Sequence, residues 1–404
     1  MSAHLPDPDR PVPVPERAFS LPRDLRYLNC AYMGPLPRVT EAAGIRGIRR
    51  KRDPSRMGPD DFFLESQAVK EAFAGLLGVS APGRVAILPS VSYGIAITAR
   101  NAGLQPGQKV LLTRDQFPGN VYAWLRVARE VGARVEFVDP PASGPRGEGW
   151  NRRILEALDR DTRVVSLGHV HWTDGTLFGL EEIGARAREV GALLVVDGTQ
   201  SVGALPLDIE AIRPDAIVVA GYKWLLGPYS LALGYFGEAF DEGVPLEEGW
   251  IVREGSQDFG GLVHYREEYL PQAGRYDVGE RSNFILLPMA LASLRLLLEW
   301  TPRRIQDHCE GVTSEFISWA REWGLRVDDS RWRAHHLFGV RWGSEGDGYR
   351  PSPDPQRLRQ ALKRRNVVVS QRGDSLRISP HLYNDRQDLA FLREALEAAV
   401  SAGP

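Results

Sequence analysis

The chain has 404 residues, of which 43% are hydrophobic and 25% are charged, so its composition is globular and excludes a largely disordered chain. The 50 Lys and Arg residues nearly balance the 52 Asp and Glu residues, which excludes the basic excess of a generic nucleic-acid or anionic-membrane surface. The two cysteines, Cys30 and Cys309, cannot build a disulfide framework, and the length predicts one large domain with a smaller companion.

The N-terminal region is rich in prolines and charges, which is typical of an extended arm, and we assign residues 1–26 to it. It has no apolar core of the kind found in a signal peptide. Nowhere does the chain contain the run of about 18 apolar residues that a membrane-spanning helix needs. These features predict a cytoplasmic protein that has no membrane partner.

From about residue 84, short apolar runs alternate with amphipathic stretches. The predicted strands are 109–113, 134–138, 163–167, 192–196 and 216–220. The predicted helices between them are 121–131, 152–158 and 180–190. The last two strands are solidly apolar and β-branched, as buried parallel strands are. The alternation predicts an α/β large domain, residues 27–285, whose mostly parallel sheet is sandwiched by helices.

A different pattern begins after a long apolar helix predicted at 286–300. The further predicted helices are 303–323, 355–365 and 386–400, and the predicted strands are 337–342, 367–370 and 376–379. This order predicts that residues 286–404 form a linking helix and a small C-terminal α+β domain.

Two charged residues follow the two most apolar strands, at the edge of a parallel sheet where binding sites form. Asp197 comes after 192–196, and Lys223 comes shortly after 216–220. They could simply form an ion pair near the rim. They could also bind pyridoxal phosphate between them, because a lysine on an apolar shelf can form a Schiff base and a carboxylate can keep a pyridine nitrogen protonated. Spacing alone leaves both interpretations open.

Three stretches containing these residues, SLGHVHWTDGTLFGLEEI, LLVVDGTQSVGALPLDI and PDAIVVAGYKWLLGP, resemble the class V aminotransferases. This fold-type I group includes cysteine desulfurases, kynureninases and isopenicillin N epimerase. The similarity extends from YLNCA at 27–31 to RISPHLYN at 377–384. The resemblance implies the fold-type I architecture, pyridoxal 5'-phosphate as cofactor, Lys223 as its Schiff-base lysine and Asp197 as the partner of its ring nitrogen.

The resemblance also implies contacts to the cofactor ring and phosphate. Gln200 matches the residue that binds the phenolic oxygen, although it could instead cap the next helix. Phe117 matches the ring that stacks on the pyridine in kynureninase-like members, although a phenylalanine in an apolar turn is usually core. Tyr222 matches a kynureninase tyrosine that reaches the phosphate. Val91 and Ser92 open a predicted helix whose N–H groups can bind a phosphate, and the same geometry suits simple N-capping.

One stretch departs from the family pattern. His169 occupies the position of the family histidine, but Trp172 replaces the asparagine that binds the cofactor oxygen. That role is left to Thr173 or Gln200. His169 and His171 would share one face if the strand continued, yet a metal site would need a third ligand and none stands nearby, so we predict no metal.

The resemblance further implies how substrate and partner subunit are bound. Arg377 matches the arginine that binds the substrate α-carboxylate, a role suited to a planar guanidinium, although it could also be merely solvated. Gly279 matches the loop that crosses to the phosphate of a second subunit, and Glu280 replaces its threonine. A homodimer with shared active sites is therefore expected.

The resemblance implies an amino acid as the small-molecule substrate, without indicating which one, and we predict an aminotransferase reaction. A desulfurase would need a mobile cysteine before the final arginine strand, and residues 366–376 contain none. A lyase remains open because Phe117 and Tyr222 are kynureninase-like, although Gln200 stands in place of the kynureninase histidine. An epimerase would need a second base, and none is evident. The alternative from another class is a non-catalytic protein of this fold.

Overall fold

The computed structural model describes residues 18–343 and 348–401, so the first 17 residues of the predicted arm lie outside the described residues. The strands are β1 (Arg26–Tyr27), β2 (Val85–Leu88), β3 (Lys109–Thr113), β4 (Arg134–Val138), β5 (Thr162–Gly168), β6 (Leu193–Asp197), β7 (Ala216–Ala220), β8 (Ala232–Phe236), β9 (Phe338–Arg341), β10 (Val367–Val368), β11 (Ser370–Arg372) and β12 (Ser375–Ile378). The helices are α1 (Arg38–Arg50), α2 (Leu64–Leu77), α3 (Val91–Asn101), α4 (Tyr122–Val131), α5 (Arg146–Ala157), α6 (Leu180–Val190), α7 (Ile209–Ile212), α8 (Leu286–Trp300), α9 (Pro302–Glu322), α10 (Pro355–Arg364) and α11 (Arg386–Ser401).

A seven-stranded sheet with the order β2-β8-β7-β6-β5-β3-β4 organises the larger part of the described chain. The five strands from β7 to β4 run parallel to one another, and β8 pairs antiparallel with both β7 and β2. The sheet is therefore mostly parallel with an antiparallel edge, which confirms the α/β prediction.

Alternate side chains of each central strand are buried on opposite faces of this sheet. In β6, Leu194 and Val196 pack into one hydrophobic core, whereas Val195 packs into the other. A strand buried on both faces has to be apolar at every position, because successive side chains point to opposite faces. The solidly apolar sequence of β6 and β7 follows from this double burial.

The C-terminal part contains a second sheet, in which β12 lies antiparallel between β11 and β9. The helix α8 precedes it and packs against α1 and α2 of the N-terminal region. The N-terminal strand β1 pairs in parallel with β10 near the other end of the chain. The two ends of the described chain are therefore joined by backbone hydrogen bonds.

A buried carboxylate ties the segment before α8 to the large sheet. Asp277 accepts hydrogen bonds from the backbone N–H of Ile87 at 2.7 Å and from Lys70 at 2.7 Å, and it also pairs with Arg281. Its side chain is fully buried, so these donors replace the water that a carboxylate otherwise requires. Among the helices of residues 18–343 and 348–401, none combines the length and apolar character that a membrane span requires.

Candidate active site

A cavity of about 290 Å³ opens at the carboxyl ends of the central strands. Asp197 is the last residue of β6, and Lys223 lies in the turn that follows β7. Both side chains line this cavity. They meet there because the carboxyl ends of parallel strands lie along one edge of the sheet.

The two charged groups face the cavity without pairing directly. Lys223 and Asp197, both of them described residues, influence each other electrostatically but form no direct ion pair, so the rim ion pair left open by the sequence does not form. Burial lowers the pKa of Lys223 to about 8, the charge of Asp197 opposes this shift, and nearby arginines add to it. Burial also raises the pKa of Asp197, while its carboxylate accepts the N–H of Thr199 at 3.0 Å. A neutral amine is therefore accessible near neutral pH.

Aromatic rings surround the amine. The Lys223 Nζ atom lies 5.2 Å from the ring centroid of Phe117 and 5.6 Å from that of Tyr222. Phe117 is 40% exposed, so it is not part of a packed core. Its ring meets Trp172 edge to face at 5.4 Å, and Trp172 is fixed by donating its indole N–H to the carbonyl of Asp115 at 2.7 Å. Phe117 therefore presents a ring at the mouth of the cavity.

One end of the cavity is suited to an anion. Val91 and Ser92 line it at the N-terminus of α3, where the first N–H groups of a helix have no partner within the helix. Ser90 caps the helix by accepting the N–H of Tyr93 at 3.2 Å. The ring of Tyr222 also lines the cavity, and its centroid lies 4.6 Å from that of Tyr229, a second tyrosine of the wall. N-capping and anion binding are therefore compatible here.

Gln200 lines the cavity, and two hydrogen bonds to other residues fix its side-chain amide. Its Oε1 atom accepts the indole N–H of Trp224 at 2.8 Å, and its Nε2 atom donates to the carbonyl of Ala31 at 3.2 Å. An Nε2 group has two hydrogens, so one remains for a ligand. The loop carrying the lysine is equally fixed, because a Cβ on Gly34 would lie 2.1 Å from the carbonyl oxygen of Lys223.

Arg377 lies beside the cavity, where it contacts Trp172 of the cavity wall without lining the cavity itself. Its Nη1 atom donates to the carbonyl of Trp172 at 2.8 Å, and within the described part of the chain its Nε and Nη2 atoms have no hydrogen-bond partner. The side chain is only 1% exposed, so it is not a solvated surface arginine. Burial and the neighbouring Arg372 lower its pKa to about 10. Such a group is strongly suited to an anion.

Three residues expected to bind the cofactor do not line this cavity. His169 is buried beside it, Thr173 shares a hydrogen bond of 2.7 Å with the ring of His171, and the amide of Gly279 donates to Glu247 at 2.6 Å. His169 and His171 were expected on one face, but β5 ends at Gly168, so strand alternation does not continue and only His171 lines the cavity. No group of three or more potential metal-binding side chains occurs in residues 18–343 and 348–401.

Sequence reasoning missed several residues of the cavity wall, among them His171, Thr199, Tyr229 and Ser230. Thr199 joins two strand ends by accepting the N–H of Ala220 at 3.2 Å. Its position between the predicted Asp197 and Gln200 was a usable signal. The other three come from irregular loops, in which sequence spacing does not indicate direction.

The donor set fits pyridoxal phosphate. It combines a buried amine with a lowered pKa, a buried carboxylate that is not paired with that amine, a helix N-terminus with adjacent hydroxyl groups, and an exposed aromatic ring. A phosphate, a pyridine nitrogen, an aldehyde and a ring face each have a counterpart among them. The cavity is also concave and partly apolar, as cofactor sites usually are.

The sequence model of the family described as Aminotransferase class-V matches residues 61–249. An uncharacterized aminotransferase of Bacillus subtilis is 24% identical over 83% of this chain and 84% of its own length. A probable cysteine desulfurase of Methanothermobacter thermautotrophicus is 26% identical over 96% and 98%. An isopenicillin N epimerase of Amycolatopsis lactamdurans is 28% identical over 94% and 96%.

Among solved structures, the cystine C–S lyase C-DES, in complex with its reaction product cysteine persulfide, is similar in fold. Its TM-score is 0.79, with 21% sequence identity, and the match covers 95% of this chain and 99% of that one. The likeness concerns the arrangement of the helices and strands, which both chains share almost throughout.

Proposed function

We propose that the chain is an aminotransferase, a pyridoxal-phosphate-dependent enzyme that acts on amino acids and resembles the class V family, whose model matches residues 61–249. The observation that carries the proposal is the single amine of Lys223, buried on the cavity wall with its pKa lowered to about 8. One base that moves a proton between two atoms on the same side of the substrate is what transamination requires.

The residues of the cavity would hold the cofactor at defined positions. Val91, Ser92 and Tyr222 would bind the phosphate, Asp197 the ring nitrogen and Phe117 one ring face. When bound, pyridoxal phosphate supplies a protonated ring that withdraws electrons from the substrate α-carbon. The buried carboxylate of Asp197, which has no ion-pair partner among the described residues, would favour a proton on the ring nitrogen.

Lys223 would be both the attachment point of the cofactor and the group that moves the proton. Its amine would form the covalent attachment to the cofactor, and its neutral form would accept and return a proton at the substrate α-carbon. Arg377 would hold the substrate carboxylate through its free Nε and Nη2 atoms, which fixes the α-carbon relative to Lys223.

No histidine of the described cavity wall is free to act as a second base. His171 lines the cavity, but its ring nitrogens are already engaged, one with the hydroxyl of Thr173 at 2.7 Å and the other with the carbonyl of Arg114 at 3.2 Å. Epimerisation needs an acid and a base on opposite sides of the α-carbon. The geometry therefore favours a one-base reaction over an epimerase reaction.

The thiols of the chain are unsuited to persulfide formation. Cys30 and Cys309 are both fully buried, and burial raises the pKa of Cys30 to about 12 and that of Cys309 further still. A nucleophilic cysteine has to be accessible and ionised. The proposal therefore does not follow the desulfurase relatives in using a cysteine.

A β-eliminating lyase is the second candidate. Elimination also begins when a single base removes the α-proton, so the same amine of Lys223 would serve. The similarity to a C–S lyase and to a probable cysteine desulfurase favours this candidate.

The experiment begins with covalent attachment. Holoenzyme reduced with borohydride should carry a pyridoxyl adduct on Lys223, detected by peptide mass spectrometry, and Lys223→Ala should carry none. Lys363→Ala removes an exposed lysine and should behave like the unmodified protein. Single-turnover spectra with an amino-acid panel then separate the reactions. Conversion of the cofactor to its amine form with release of a keto acid indicates transamination, and ammonia release with unchanged cofactor indicates elimination.

An adduct on another lysine, or no adduct, would contradict the assignment of Lys223. An adduct on Lys223 without α-proton exchange from any amino acid would instead support the non-catalytic alternative. Exchange is measured by incorporation of deuterium from solvent.

A further inference from the structure

Two arginines and a serine lie on one face of the C-terminal hairpin. In the antiparallel pairing of β11 with β12, Arg372 lies opposite Ser375, and Arg377 is two residues further along β12. Side chains at opposite positions and at positions two apart point to the same face. Arg372 and Arg377 are therefore diagonal neighbours, whose Cα atoms are typically about 7–8 Å apart.

This face presents donors without acceptors. The Nε atom of Arg372, the Nε and Nη2 atoms of Arg377 and the hydroxyl of Ser375 are buried without a hydrogen-bond partner among the described residues. Arg372 lies over the ring of Trp172 at 5.6 Å, and Arg377 donates to the backbone carbonyl of the same residue. Both cations thus contact Trp172, a residue of the cavity wall, without lining the cavity themselves, and both act electrostatically on Lys223.

A third arginine on the same face differs from these two because carboxylates neutralise its charge. Arg341 of β9 lies opposite Ser375, but it is neutralised by Asp174, with further carboxylates from Asp328 at 3.9 Å and Asp374 at 3.8 Å. Neither Arg372 nor Arg377 has such a carboxylate partner within residues 18–343 and 348–401. Arg372 and Arg377 together carry two unneutralised positive charges, whereas an α-carboxylate supplies only one negative charge.

We propose that Arg372 determines substrate specificity by binding an anionic group on the side chain of the amino acid, while Arg377 binds its α-carboxylate. The substrate class is therefore a short acidic amino acid. The inference rests on the proposed function and adds a substrate preference to it. Two carboxylates on a short chain suit two guanidinium groups at diagonal positions, and each charged contact typically changes affinity by about 10- to 100-fold.

The first test uses isosteric substrate pairs with the holoenzyme. Deuterium exchange at the α-carbon should show a kcat/KM for L-aspartate or L-glutamate at least about 10-fold above that for L-asparagine or L-glutamine. Arg372→Gln should remove this preference through KM for the acidic substrate, with little change in kcat, and Arg372→Lys should retain part of it. Gln371→Ala alters the adjacent residue, which faces the other side of the strand, and should leave the preference unchanged.

The second test measures binding without turnover. Glutarate should bind the holoenzyme more tightly than butyrate by calorimetry, and Arg372→Gln should weaken glutarate about 10- to 100-fold while leaving butyrate unchanged. Equal binding of the two acids, or an acidic preference that survives in Arg372→Gln of native fold and cofactor content, would overturn the inference. Failure of the proposed function would look different, because no amino acid would then convert the cofactor to its amine form even where glutarate binds.

Discussion

The lowered pKa of Lys223 gives a prediction that can be worked out quantitatively. With its pKa lowered to about 8 from the ordinary 10.5, about one amine in ten is neutral at pH 7. An ordinary lysine would be neutral in about one molecule in three thousand, so the cavity increases the reactive fraction roughly 300-fold. This fraction limits how fast the apoprotein can be attacked by an amine-reactive reagent.

Two substitutions should move this pKa in opposite directions. Asp197→Asn removes the negative charge that favours the protonated amine, so the pKa of Lys223 should fall below about 8. Arg377→Met removes a positive charge that disfavours it, so the pKa should rise. Trace acetylation of the apoprotein across a pH series, quantified peptide by peptide, measures each value, and the exposed Lys363 is the internal control.

The reasoning would be refuted if Lys223 titrated like Lys363, or if both substitutions moved its pKa in the same direction. The stability of the apoprotein provides a second check. Because the folded-state pKa of Lys223 is the lower one, the unfolded chain binds more protons between about pH 8 and 10.5. The contribution of Lys223 to the free energy of unfolding should therefore rise with pH across that interval.

Three further predictions concern stability and the role of thiols. Asp277→Asn removes the negative charge that two buried cations and a backbone amide share. The free energy of unfolding, measured in urea, should therefore fall by about 3–5 kcal/mol. The control Asp374→Asn alters an exposed carboxylate and should lower it by less than about 0.5 kcal/mol. Gly34→Ala places a Cβ 2.1 Å from the carbonyl oxygen of the proposed cofactor lysine, so the melting temperature and the cofactor content should both fall. Gly58→Ala places its Cβ in open space and should leave both unchanged. Equal behaviour of the two variants would contradict the close approach at Gly34. Replacing Cys30 and the second buried cysteine with Ala should leave kcat for the amino-acid substrate within about threefold, and loss of activity from a folded double variant would indicate a reactive thiol.

Much of the large sheet could be predicted from the sequence because its parallel strands are buried on both faces. Double burial leaves an uninterrupted apolar run, and the observed β3 and β7 have the predicted bounds. The edge strand β4 also has its predicted bounds, although most of its side chains are only partly buried. The two strands at the antiparallel end of the sheet, β2 and β8, were not predicted, and neither were α1 and α2. Their pairing and packing partners lie far away in sequence, β8 beside β7 and both helices against α8. Local pattern does not carry that information.

The sequence by itself determined which chemical groups stand at the strand ends, Asp197 and Lys223 among them, because hydrophobic periodicity places strand ends and the family motifs surround both residues. Only the tertiary structure decided which groups are left unpaired. Asp174 approaches Arg341 across 167 positions of the sequence, while Arg372 and Arg377 on the same face receive no carboxylate from the described residues. Charge compensation is a contact between distant segments, and its energy depends on distance and burial, which exist only in the folded chain.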